Sequence, residues 1–119
     1  MLLKNRYMKI KEKEKDVQRA ILDWLGFAGV FHYRNNTGAM AGEYKGKKWF
    51  MRFGAVGSPD IVAIVNGRYI GIECKGTAGE QSDSQYAFQK ALETEKGIYI
   101  LAHSFDEFTT QWIKLLKDL

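Results

Sequence analysis

The sequence predicts an α/β domain of three layers, with elements in the order α-β-β-β-α-β-α and a mixed four-stranded sheet flanked by helices. Three observations carry this reading. The segments "DIVAIV" (Asp60–Val65) and "IYILAH" (Ile98–His103) are apolar at successive positions, so each presents apolar side chains on both faces of a strand and calls for cover on both sides. Asn66-Gly67, between "DIVAIV" and "RYIGIECK" (Arg68–Lys75), is the strongest two-residue hairpin signal. A helical stretch separates "RYIGIECK" from "IYILAH", and a crossover of that kind leaves its two strands parallel.

Each element has a local reason. From about Lys13 to Leu25, the apolar residues Val17, Ile21, Trp24 and Leu25 recur at helical spacing, and Gly26 is placed to end the run. "VFHYRN" (Val30–Asn35) reads as the first strand, which completes an antiparallel meander with the hairpin. Residues 36–58 are glycine-rich and read as one long loop, or as a loop with a ribbon in it. A connection that long in a small domain is usually functional or mobile. "SDSQYAFQKALETEKG" is a helix, with Ser82 and Gln85 spaced as a capping box and Gly97 as its stop. "SFDEFTTQWIKLLKDL" closes the chain as a helix with Phe108, Trp112, Ile113 and Leu116 on one side.

At 119 residues and 45% hydrophobic content, the chain suits one globular domain over residues 1–119. Residues 1–10 read as a disordered stretch or a basic arm. The longest apolar runs, Ile61–Val65 and Ile98–Ala102, are too short to span a bilayer. "MLLKNRYMKIK" lacks the apolar stretch of a secretory signal. The lone Cys74 forms no internal disulfide, so an intracellular, reducing setting without a membrane is expected.

Net charge is +4, which alone says little about partners. The distribution says more. "EYKGKKWFMRF" (Glu43–Phe53) sets Lys45, Lys47, Lys48 and Arg52 among Tyr44, Trp49, Phe50 and Phe53. Cations interleaved with aromatics suit phosphates and exposed bases, so these four, with Ser58, are candidate nucleic-acid contacts. The alternative is an ordinary loop whose aromatics fold back onto the core.

The hairpin carries the most informative charges. A two-residue turn at Asn66-Gly67 pairs Val65 with Arg68 and, five steps out, Asp60 with Glu73. Both carboxylates then point to one face, and Lys75 shares it. Gly71, opposite Val62, leaves that face open to a close neighbour. Like charges facing across a ladder destabilise a sheet. At about 5 Å and an effective dielectric near 20, the repulsion is roughly 3 kcal/mol. Either a cation sits between the pair or one of the two is protonated. Hard oxygen ligands select magnesium, manganese or calcium. Taken singly, Asp60 could end a turn, and Glu73 with Lys75 could be a solvated pair; the shared register makes the three a candidate site. His32 and His103 lack a zinc spacing. Cys74 points to the opposite face, and "KGTAGEQ" lacks the spacing of a phosphate-binding loop.

Pro59-Asp60 followed by Glu73-Cys74-Lys75 resembles the signature of the PD-(D/E)XK nuclease superfamily, and the element order is similar to that superfamily's restriction-endonuclease-like core. The closer resemblance is to its VRR-NUC branch, the virus-type replication-repair nucleases, in stand-alone form. It rests on Glu14 ahead of Val17-Gln18, on Gly57-Ser58-Pro59-Asp60 leading into the strand, and on Gln85 at the start of the following helix. It covers roughly residues 13–102.

The resemblance implies metal-dependent phosphodiester hydrolysis with Mg2+ or Mn2+. Asp60 and Glu73 would hold the metal, and the backbone carbonyl of Cys74 would add a ligand. Lys75 would position the attacking water and stabilise charge on the phosphorane. The products would carry a 5′-phosphate and a 3′-hydroxyl. Glu14 and Gln18 share a helical stripe with Ile21 and Leu25 that is expected to face the sheet, so Glu14 could reach the site or hold a water on a second metal. It could equally be a helix-start glutamate favoured by the dipole. Gln85 is a site residue by resemblance, yet its capping-box spacing explains it without catalysis. The expected function is a structure-selective DNA nuclease acting on branched, flapped or four-way-junction DNA in replication, repair or recombination, as a homodimer. A sequence-specific restriction-type endonuclease and a non-catalytic nucleic-acid-binding module on a nuclease fold are the alternatives.

Overall fold

The computed structural model describes residues 11–35 and 38–119. The expected N-terminal arm at residues 1–10 lies outside the described residues. Helix α1 spans Glu14–Phe27, followed by strands β1 (Phe31–Arg34), β2 (Gly38–Tyr44), β3 (Lys47–Phe53), β4 (Ile61–Val65) and β5 (Arg68–Cys74). Helix α2 (Asp83–Thr94), strand β6 (Ile98–Ala102) and helix α3 (Phe105–Leu116) complete the order.

Strands β1, β4, β5 and β6 form one mixed sheet in that spatial order. β1 and β5 each run antiparallel to β4, and β6 runs parallel to β5. The hairpin register is the one that the two-residue turn dictates: Val65 faces Arg68 and Ile61 faces Ile72. Asn66 (φ 51) and Gly67 (φ 77) both take the left-handed conformation that a type I′ turn requires. β2 and β3 form a separate antiparallel ribbon inserted between β1 and β4. Of the two readings of residues 36–58, the loop containing a ribbon is the one found. Its tip is a second turn of the same kind, at Lys45 (φ 50) and Gly46 (φ 81).

The sheet is covered unequally. On one face Ile61, Ala63, Ile70, Ile72, Cys74, Ile98, Ile100 and Ala102 meet Val17, Ile21 and Leu25 of α1 and Phe108 and Trp112 of α3. Trp24 stands edge-on to Phe108 and Trp112, at centroid separations of 5.6 and 5.8 Å. The other face carries α2, which has no fully buried residue. There the Pro59 ring occupies the space that a side chain at position 71 would need. That is the close neighbour for which Gly71 leaves room.

Three local expectations are corrected. α1 runs through Gly26 and closes one turn later, where Gly29 (φ 70) takes the left-handed position. The amides of Gly29 and Val30 then donate to the carbonyls of Gly26 and Leu25, which is the bonding of a Schellman cap. α2 closes the same way with Lys96 (φ 69), not Gly97, in the left-handed position. Gly97 is needed because a Cβ there would strike Leu92. On α3 the inward stripe is Phe105, Phe108, Trp112 and Leu115, while Ile113 and Leu116 are 58% and 48% exposed. No described helix is long and apolar enough to cross a membrane.

The two stripes of α3 give a direct contrast. Phe108→Ala should destabilise the protein by about 3–5 kcal/mol, the usual cost of deleting a buried aromatic. Ile113→Ala should stay within roughly 0.5 kcal/mol. Urea unfolding of the two variants checks the assignment, and equal losses would contradict it.

Candidate active site

The register of β4 against β5 brings Asp60 and Glu73 together at one end of the sheet. The two carboxyl groups are close enough that each acts on the ionisation of the other. Asp60 is fixed from two sides. Its carbonyl accepts from the Asn35 amide at 2.7 Å, and its Oδ2 accepts from the Cys74 amide at 2.8 Å. Asn35 also donates from Nδ2 to Ser58 Oγ and to the Pro59 carbonyl, both at 2.9 Å. One side chain on the end of β1 thereby pins the whole Ser58-Pro59-Asp60 lead.

Glu73 is only 2% exposed. Its Oε2 accepts from Gln85 Nε2 at 2.8 Å and lies 3.7 Å from Lys75 Nζ. Its Oε1 is buried with no hydrogen-bond partner among the described residues. Gln85 closes the expected cap and also contacts Glu73. Its Oε1 accepts from the Ser82 amide and closes the capping box, while its Nε2 holds Glu73. The cap fixes the amide, and the amide fixes the carboxylate. Gly57 (φ 79) allows the approach of this helix start, because a Cβ there would strike the Ser84 carbonyl. The Lys75 stem packs beside Gly79, which holds its ammonium over the same face.

Electrostatics follow from the burial. Desolvation pushes Glu73 up to about 8, with the Asp60 charge adding to it and Lys75 opposing. Asp60 is also raised by burial, against the lowering effect of the Cys74 amide, Lys75 and Arg34. Two carboxyls this close titrate as a unit, and near neutral pH the unit retains a proton unless a cation takes its place. Burial, then the same two charges, pushes the Cys74 thiol up, so it is a poor nucleophile.

The other predicted residues are spread around this centre. Glu14 is exposed on the first turn of α1, near enough for its charge to raise Glu73. The stripe of α1 that faces the sheet is Val17, Ile21 and Leu25, and Gln18 lies beside it in a groove. Lys45, Lys47, Lys48 and Arg52 are exposed on the ribbon. Lys45 lies over the Tyr44 ring and Arg52 over the Phe50 ring, each at 5.5 Å. Tyr44, Trp49 and Phe50 on the ribbon are exposed instead of folded back onto the core. Ser58 is 8% exposed and its hydroxyl is taken by Asn35, so it fastens the lead and presents nothing outward.

Sequence reasoning missed Asn35, Arg34 and Tyr99. Tyr99 stands opposite Gly71 on β6, on the Glu73 face, and its phenol is pushed up to about 12 chiefly by burial. No turn ties β1 to β4 or β6 to β5, so no local signal could have set those registers.

Among the described residues, no group of three or more His, Cys, Asp or Glu side chains stands close enough to hold a metal ion. The pair still fits a hard divalent cation. It offers carboxylate oxygens, one of them buried and unpartnered, with the Cys74 carbonyl on the intervening residue. Mg2+ is commonly held by one or two carboxylates, with water and phosphate oxygens filling the remaining positions.

The raised pKa of Glu73 sets a pH dependence. With the folded value near 8 and the ordinary value 4.5, the protonated form favours folding. That contribution is complete below about pH 4.5 and is lost as pH rises through about 8. In chelator, Glu73→Gln should therefore become progressively more stable than the unmodified protein between those limits, by a few kcal/mol in order of magnitude. Added Mn2+ should raise the melting temperature of the unmodified protein and not of Glu73→Gln. Denaturant unfolding across that pH range tests both, and a constant stability gap would refute the shared-proton picture. In comparisons with known proteins, the chain matches no family model, no curated protein and no solved structure.

Proposed function

We propose that the chain is a metal-dependent DNA nuclease that hydrolyses phosphodiester bonds on the PD-(D/E)XK plan, in the manner of the VRR-NUC branch. The observation that carries this reading is the buried, facing Asp60–Glu73 pair with Lys75 on the same face and one Glu73 oxygen unpartnered. A core does not hold two carboxylates together for stability, because burying each charge costs several kcal/mol. Asp60, Glu73 and the Cys74 carbonyl would hold Mg2+ or Mn2+. A cation there supplies charge to neutralise the scissile phosphate and to acidify water.

The chain's own groups do the rest. Lys75 orients the attacking water and stabilises the negative charge that grows on the phosphorane oxygens. Gln85 keeps Glu73 in one rotamer, and Asn35 with the Cys74 amide keeps Asp60 in place. Glu14 adds negative potential at the edge of the pair and is the candidate holder of a second water. The ribbon, with Lys45, Lys47, Lys48 and Arg52 among exposed aromatics, is the candidate grip on DNA. A non-catalytic nucleic-acid-binding module is the second reading. It is favoured by the absence, among the described residues, of a third acidic or histidine side chain beside the pair.

Cleavage should require Mg2+ or Mn2+ and vanish in chelator, while Ca2+ should support binding without efficient cutting. Asp60→Asn, Glu73→Gln and Lys75→Ala should each lower the cleavage rate by about 100-fold or more while remaining folded. Incubation with linear, flapped and four-way-junction DNA reads these together, and cutting retained by two of the three variants would show the site to be misassigned.

Symmetric cutting of a junction needs two sites at a fixed spacing, which a twofold dimer supplies. The ribbon's exposed Trp49, Phe50 and Met51 favour a second copy as the partner. Light scattering should give twice the 13.6 kDa chain mass. A monomer mass with and without DNA would remove the paired-cut model.

A further inference from the structure

A groove of about 260 Å³ runs between α1 and the edge strand β1, lined by Lys15, Gln18, Arg19, Leu22, Asp23 and Arg34. The helical residues fall at i, i+3, i+4, i+7 and i+8, so they occupy one side of α1 over slightly more than two turns. Arg34 comes from the sheet. It pairs with Ile61, whose side chain is buried in the layer shared with α1, so Arg34 emerges on that same side. The next residue, Asn35, donates its amide to the Asp60 carbonyl. The groove therefore ends at the strand end that carries Asp60, around the edge of the sheet from the carboxylate pair, which faces the α2 side.

Its charge is unbalanced. Lys15, Arg19 and Arg34 are exposed, and among the described residues none has a carboxylate within 4.0 Å. Asp23 stands at the far end, about 12 Å along the helix from Lys15 at 1.5 Å per residue. The cations are thus gathered toward the site, and the one anion closes the end away from it. Arg34 is near enough to Asp60 to act on its ionisation.

We infer that this groove is a phosphate track, a second nucleic-acid contact separate from the ribbon, which holds the backbone of one DNA strand as it leaves the carboxylate pair. The chemistry that fits is a linear polyanion. Neighbouring phosphates along one strand lie roughly 6–7 Å apart, further than the 3.4 Å rise on the duplex axis, so two to three of them match the span from Lys15 to Asp23. The flexible cations neutralise phosphate oxygens, and the Gln18 amide can donate to one. Asp23 repels the chain and limits how far it runs. The inference deepens the nuclease reading by naming where the substrate lies. It is read by binding, so it stands or falls separately from cleavage.

The test is fluorescence anisotropy of a short fluorescein-labelled DNA duplex in chelator, with salt varied from roughly 50 to 200 mM. Three proteins are compared: Asp60→Asn, the same chain with Lys15→Gln, Arg19→Gln and Arg34→Gln added, and the same chain with Asp23→Asn added. The triple change should raise Kd at least ~10-fold and reduce the slope of log K against log salt by about 2 to 3, near 0.9 per lost contact. Asp23→Asn should tighten binding about 2-fold or more. Circular dichroism confirms the fold, which these exposed side chains do not support. An unchanged salt slope in the triple variant, or no binding by Asp60→Asn itself, overturns the track. If the unmodified protein cuts DNA while the slope is unchanged, the nuclease reading survives and the track does not. If it binds through the groove and cuts nothing, the track survives alone.

Discussion

Two carboxylates held face to face by a two-residue turn are the constraint to which the rest of the chain responds. Asn66 and Gly67 leave the hairpin one register, and that register leaves Asp60 and Glu73 no way to avoid each other. The groups that make this tolerable come from several elements. β5 supplies the Cys74 amide and Lys75, α2 supplies Gln85, and Asn35 and Arg34 come from the end of β1. A domain with a total stability of about 5–15 kcal/mol cannot also carry two bare buried charges. The pair is therefore charged only in company, whether that company is a proton or a cation.

What could be read beforehand follows from how far each signal travels along the chain. The hairpin was legible because its turn and its alternation sit within a few residues of each other. The facing pair came from counting outward from Asn66-Gly67. Gln85 was legible as a cap, through Ser82, and the cap points its amide at Glu73, a contact that no local signal gives. The end of α1 was off by a turn, since Gly26 and Gly29 are both plausible stops and only the path into β1 chooses between them. On α3 two adjacent stripes are apolar, and periodicity cannot say which one meets Trp24. Asn35, Arg34 and the groove on α1 depend on pairing between β1 and β4, two strands with the ribbon inserted between them.

The two sides of the sheet are built to different standards. The layer of α1 and α3 holds an aromatic cluster and nearly all the large buried side chains. The layer of α2 is held by contacts that are few and geometric: a glycine that admits the Ser84 carbonyl, a proline ring beside Gly71, and the Ser82–Gln85 cap. The carboxylate pair faces the thin side. Regions with few buried apolar contacts open locally at lower free energy than the core, so the surroundings of the pair can move more easily than the α1–α3 layer.

The ribbon leaves the body at Asn35 and returns at Ser58, and those two residues are joined by a 2.9 Å hydrogen bond. The excursion is thus pinched at its neck. Among the described residues, apart from Gly57, which admits the Ser84 carbonyl, the ribbon beyond the neck makes no contact on which β1, β4 or the carboxylates depend, so its length and composition can change. Shrinking a closed segment from roughly 20 residues to about 5 alters its closure entropy by only about 1 kcal/mol. The chain therefore separates a fixed part from an exchangeable one: the hairpin is constrained residue by residue, and the ribbon is a cassette that can be rewritten while the carboxylate pair stays as it is.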